Sequence, residues 1–116
     1  MDISLLIKHL LPEDLFKHFD LVNLEENSEG QLILELDEKP VKPKEHSDKD
    51  LISKGFHSKV EIQDFPLRGK AVYLRVRRRK WIDKKTGKVY STNWELTAKG
   101  TSYTKEFAAF LKELLR

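Results

Sequence analysis

Residues 71–82, AVYLRVRRRKWI, leave this chain little choice but an extended conformation there. The run alternates, is rich in β-branched and aromatic side chains, and contains neither Gly nor Pro. Side chains on a strand point to opposite faces in turn. Val72, Leu74 and Val76 therefore share a face that can seat on a core, and Tyr73, Arg75, Arg77, Arg79 and Trp81 share the other. That second face is a row of guanidiniums spaced roughly 7 Å apart by the strand rise, with an aromatic at each end. Arg78 and Lys80 place charge on the apolar side, so that face is expected to leave the core near residue 77. Five cations within residues 75–80 repel one another unless something anionic lies against them. On an edge strand the same charges would discourage edge-to-edge pairing.

Charge along the whole chain sharpens the point. The net charge is +3, but residues 1–58 hold 7 Lys/Arg against 13 Asp/Glu, and residues 59–116 hold 15 against 6. A basic half suggests a surface for a polyanion, with the acidic half shielding it or meeting a different partner. At 116 residues the chain is expected to form one domain, and 35% charged residues imply a thin core. The absence of cysteine excludes disulfides and thiolate metal sites and fits a reducing compartment. The start, MDISLLIKHLLPED, has a short apolar run followed by acids, without the pattern of a secretory signal. No apolar run approaches the length of a membrane span. A cytoplasmic protein without a membrane partner is expected.

Asp2 can cap a first helix carrying Ile3, Leu6, Ile7 and Leu10, and Pro12 suits the start of a second, with Leu15, Phe16 and Phe19 inward. His9 and His18 read as surface histidines. Residues 21–26 and 31–37 read as an acidic hairpin turning at Asn27–Gly30, with Leu32, Leu34 and Leu36 on one face. Residues 38–50 read as a flexible, exposed connector, and its His46 is a weak metal candidate. Strand character resumes over 51–64, Phe65–Lys70 turns into the basic strand, and Thr86-Gly87 turns into a strand at 88–96. Residues 59–96 are thus expected to form a three-stranded antiparallel meander, ending at Gly100. Tyr103, Phe107, Phe110, Leu111 and Leu114 then form one face of a helix capped by Thr101, Ser102 or Thr104. The expected fold is α+β: an antiparallel meander sheet with two short N-terminal helices and a C-terminal helix packed on it.

No phosphate-binding glycine loop, dinucleotide fingerprint, zinc spacing or nucleophile elbow occurs in the sequence. The carboxylates lie beside turns and the connector, without a recognisable acid–base pair. A non-catalytic protein with no metal, cofactor or small-molecule substrate is expected.

Residues 51–116 resemble the N-terminal region of bacterial insertion-sequence transposases of the ISL and ISAon type. The resemblance rests on Ile62, Asp64, Pro66 and Gly69, then Val72, Leu74, Val76, Arg77, Arg78 and Arg79, then the helix carrying Phe107 and Leu111. Residues 1–50 resemble it only generally. In the ISAon-type branch the transposase is split between two reading frames, and this chain looks like the first-frame product. The resemblance implies a role in DNA transposition, with element-end DNA and a separately encoded catalytic subunit as partners. The family's zinc-ligating cysteines are absent here, and with Trp81 and Trp94 near their positions, indole packing is expected to staple the hairpin instead.

Two functional readings follow. In the first, Arg75, Arg77, Arg78, Arg79 and Lys80, with Lys84, Lys85 and Lys88 at the next turn, contact DNA phosphates, and Arg77 or Arg79 is a candidate for reading guanine. Tyr73 and Trp81 are candidates for stacking on bases or for packing. In the second, the chain is a protein-interaction module that docks on the catalytic subunit, and the arginines pair with acids.

Overall fold

The structure, a computed structural model, describes residues 7, 9–12, 14–94 and 104–116, with Phe65 described by its backbone alone. The chain folds as α+β, with two sheets and a C-terminal helix. In order the elements are α1 (Leu15–His18), β1 (Phe19–Glu26), β2 (Leu32–Glu38), β3 (Leu51–Phe56), β4 (Val60–Leu67), β5 (Lys70–Arg77), β6 (Arg79–Asp83), β7 (Val89–Tyr90) and α2 (Lys105–Leu114). Strands β1-β2-β5-β4 form the first sheet and β3-β6-β7 the second.

The two expected hairpins of the first sheet form, and their turns explain why. In the β1–β2 turn, Asn27 Oδ1 accepts from the backbone N–H groups of Glu29 and Gln31, at 3.0 and 2.9 Å. Between β4 and β5, Arg68 and Gly69 take φ of 55° and 78°, the two-residue turn whose twist suits paired strands.

The sheet is not the antiparallel meander that periodicity suggests. β5 pairs antiparallel with β4 on one side but parallel with β2 on the other, in register from Leu32↔Val72 to Asp37↔Arg77. Of the expected strand at 88–96, the described residues form strand only at Val89–Tyr90, which pairs with β6. The basic run is not one strand either. It breaks at Arg78, and from Arg79 onward it pairs with β3 in the second sheet. Strand alternation predicts faces only while the strand continues in one sheet, so Arg79 and Trp81 do not extend the face of Arg75 and Arg77.

The core lies between the first sheet and α2. Leu34, Leu36, Ile62, Val72, Leu74 and Val76 supply the sheet side, and Phe107, Phe110, Leu111 and Leu114 the helix side. Phe107 is fully buried, and burial of one such side chain is worth roughly 1.5–3 kcal/mol. Thr104 caps α2, its hydroxyl accepting from Phe107 N at 3.2 Å. Tyr103, Thr101, Ser102 and Gly100 lie outside the described residues, as does most of the expected first helix. Ile7, His9 and Leu10 are helical, and the expected second helix is a single turn, α1.

Three local expectations are corrected. His18 is half-buried and stacks on Phe107 at 5.4 Å and edge-on to Trp94 at 5.1 Å, because α1 ends against the core. Its imidazole is pushed below its ordinary pKa chiefly by that burial. The connector is not exposed throughout: Pro43 is fully buried, Lys44–His46 form a 3₁₀ turn, and His46 packs on Tyr90 at 4.4 Å. The indoles do not staple one hairpin together. Trp94 packs in the main core on Phe19, whereas Trp81 lies on β6 outside that cluster. No described helix is long and apolar enough to cross a membrane.

Candidate nucleic-acid interface

The register of β5 decides what its arginines face. Parallel pairing sets Glu35 opposite Arg75 and Asp37 opposite Arg77, and β4 sets Glu61 opposite Arg75 from the other side. Arg75 Nε donates to Glu61 at 3.1 Å, and its Nη1 lies 3.7 Å from Glu25. Arg77 donates twice to Asp37, from Nε at 2.6 Å and Nη2 at 2.5 Å. Lys59 Nζ donates to Glu35 at 2.9 Å, which holds that carboxyl below its usual pKa. The acidic half thus lies on the arginine strand. Tyr73 sits on the same face, between Ile33 of β2 and Gln63 of β4.

Arg77 and Arg79 also join the two sheets. The Phe56 ring at the end of β3 lies 4.1 Å from the Arg77 guanidinium carbon and 4.6 Å from that of Arg79. Arg79 donates from its backbone N–H to the Glu38 carboxylate at 3.0 Å, and from its side chain to Glu38 O and Ser53 Oγ at 3.1 and 2.8 Å. Glu38 is buried, and desolvation pushes its carboxyl up from the ordinary glutamate value despite those donors. These two arginines are therefore engaged in holding the fold.

The second sheet has two unlike faces. Leu51, Trp81 and Asp83 are buried on one, where Tyr90 also lies and the connector's His46 covers it. Trp81 is 4% exposed, so its ring is packing and has no open face for a base. The other face carries Ile52, Ile82 and Val89 in one row across the three strands, with Ile52 42% and Val89 54% exposed. Lys80 follows on that face by alternation, two residues before Ile82. Lys84, Lys85 and Lys88 are exposed at the β6–β7 turn. Asp83 Oδ1 closes that turn by accepting from Lys85 N at 2.9 Å, and Gly87 takes φ of 75°.

Two groups of cations thus separate. Arg75, Arg77 and Arg79 are engaged by acids or by backbone and hydroxyl oxygens. Arg78, Lys80, Lys84, Lys85 and Lys88 form no ion pair among the described residues. These five lie at the break before β6, on β6 and at its turn, whereas Arg75 and Arg77 lie on β5.

Sequence reasoning missed two residues here. His57 N donates to Arg78 O at 2.8 Å, and His57 Nε2 lies 2.5 Å from Ser91 Oγ. The pair is 34 residues apart in sequence, and no spacing motif announces it.

Elsewhere, a groove of about 770 Å³ runs between α2, β4 and Leu10–Pro12. Asp64, Glu106 and Glu113 line it, with no Lys or Arg among the described residues. Among the described residues no group of His, Asp or Glu is placed to hold a metal ion. Comparison with known protein families, curated proteins and solved structures finds no match to this chain.

Proposed function

We propose that this chain is a non-catalytic DNA-binding accessory domain of an insertion-sequence transposase. It contacts phosphates through its basic second sheet and works in the cytoplasm beside a separately encoded catalytic subunit. The observation that carries the reading is the set of Arg78, Lys80, Lys84, Lys85 and Lys88, cations within one short stretch that form no ion pair among the described residues. Such a set attracts a polyanion and releases its counterions. The resemblance of residues 51–116 to the transposase N-terminal region makes element-end DNA the polyanion.

Fluorescence anisotropy on labelled duplex DNA across a salt series tests this. Affinity should fall steeply with salt. Changing Lys84, Lys85 and Lys88 together to Gln should lower the log–log slope by about 3, close to one per phosphate contact. Arg75→Gln, which removes a cation already paired, should leave the slope nearly unchanged. Failure to bind at low salt overturns the reading.

One observation favours the second reading, a module that docks on the catalytic subunit without touching DNA. The Ile52–Ile82–Val89 row, exposed at Ile52 and Val89, is apolar, and phosphate contact gives it no role. Capture of the catalytic subunit, lost on Ile52→Ser with Val89→Ser, together with no DNA affinity at low salt, would establish it.

A further inference from the structure

We infer that His57, Ser91, Arg78 and Lys80 form a phosphate-binding site on the outer face of the second sheet, which takes a backbone phosphate of the bound DNA. This deepens the DNA-binding reading and rests on it.

The backbone places the four together. Phe56 stands opposite Arg79 in the β3–β6 ladder, so the next residue, His57, meets Arg78, and its N–H donates to the Arg78 carbonyl at 2.8 Å. Trp81 and Tyr90 are the last pair of the β6–β7 ladder, and the residues that follow them outward are Lys80 and Ser91, with Lys80 on the face opposite the buried indole and its charge acting on the His57 ring. The His57–Ser91 contact, 2.5 Å from Nε2 to Oγ, closes the ring of groups. The result is an imidazole and a hydroxyl flanked by two cations.

Burial first, and then the positive charges of Arg78 and Lys80, hold the imidazole below its ordinary pKa. Glu38 bears on Arg78 but is already bound by Arg79 N, and Glu45 accepts at 2.7 Å from the N–H of Asn93, two residues on from Ser91. Without an anion the ring is therefore neutral at pH ~7. A phosphate seated against Ser91 and the two cations would accept from the hydroxyl, cancel the repulsion and favour the imidazolium, adding a charge-assisted donor. Phosphate binding and protonation of His57 are thus linked, and binding is tighter at lower pH.

NMR titration of the His57 ring in the full chain tests this, with the signal assigned by His57→Gln. The titration is run in chloride and in inorganic phosphate at equal ionic strength, then with a short duplex. The His57 pKa should rise by roughly half a unit or more in phosphate, with no comparable shift at His18, which lies against the main core. Ser91→Ala and His57→Gln should each weaken duplex binding about 3- to 10-fold at pH ~6, with a smaller loss at pH ~8. If the duplex binds but the His57 pKa is the same in phosphate, chloride and duplex, the site is overturned and the DNA-binding reading stands. If phosphate shifts His57 but no duplex binds at low salt, the anion site is supported with a free phosphate as its ligand, and the DNA-binding reading is overturned. If neither occurs, both are overturned.

Discussion

Arg77 holds Asp37 through two parallel hydrogen bonds, although the two residues lie 40 positions apart. The Asp37 side chain is 12% exposed and that of Arg77 35%, so water screens the pair only in part. Asp37→Ala should lower stability by about 1–2 kcal/mol, since it leaves a half-buried guanidinium over Phe56 without its acceptors. A double-mutant cycle with Arg77→Ala, read by thermal denaturation, should show coupling of about 1 kcal/mol. Additive effects would mean that the bidentate contact does not hold β2 to β5.

Asp14 ties the N-terminal end of the fold to the C-terminal helix. Its Oδ2 accepts from Thr104 N at 3.1 Å, and Lys17 lies 3.1 Å from its Oδ1. The Thr104 N–H, more than any other group, holds the Asp14 carboxyl below its ordinary value. A carboxyl depressed on folding contributes stability that is present above its unfolded pKa and lost as pH falls through the folded one. Asp14→Asn should therefore cost about 1–2 kcal/mol near neutrality. The difference from the parent should close on acidification to pH ~2. A difference that persists there would show that the carboxylate charge is not its source.

The β4–β5 turn is not at its stability optimum. Arg68 is the only described residue other than Gly at positive φ, with φ of 55°. Asn adopts that region at lower cost, so Arg68→Asn should raise the denaturation midpoint by an amount equivalent to a few tenths to about 1 kcal/mol. Gly69→Ala, at φ of 78°, should lower it by about 1 kcal/mol. Opposite signs would show that this turn relaxes to another type in solution.

The two tryptophans report on separate halves. Trp94 sits in the main core with Phe19 and Phe107, whereas Trp81 and Leu51 are the buried apolar residues of the second sheet. A core that small opens at lower cost. Single-tryptophan variants made by Trp81→Phe and Trp94→Phe should give denaturant transitions of different midpoint, with Trp81 exposed first. Coincident transitions would show that Arg77, Arg79 and Phe56 couple the sheets into one cooperative unit.

Local signals were legible wherever neighbours in sequence are neighbours in space. The Asn27–Gly30 and Arg68-Gly69 turns join adjacent strands, and the Phe107, Phe110, Leu111 and Leu114 stripe needs only the helical period. His18 reads as a surface residue because nothing within its own segment shows that Trp94 and Phe107 close over it. The connector reads as exposed for the same reason. Pro43 and His46 look like loop residues, yet Pro43 is fully buried and His46 packs on Tyr90. Among the candidate site residues, the sequence marked the cations but not which were already occupied.

By itself the sequence determined that residues 71–77 are a strand with Val72, Leu74 and Val76 inward, that a C-terminal helix covers it, and that positive charge gathers in the second half. Only the tertiary structure decided that β2 lies parallel to β5, that the chain changes sheet at Arg78, and that His57 meets Ser91. The physical reason is one of range. Side-chain alternation and turn chemistry act over a few residues and set each strand's faces. Which strand lies beside which is settled by burial and charge pairing between segments tens of residues apart, as Asp37 and Arg77 show.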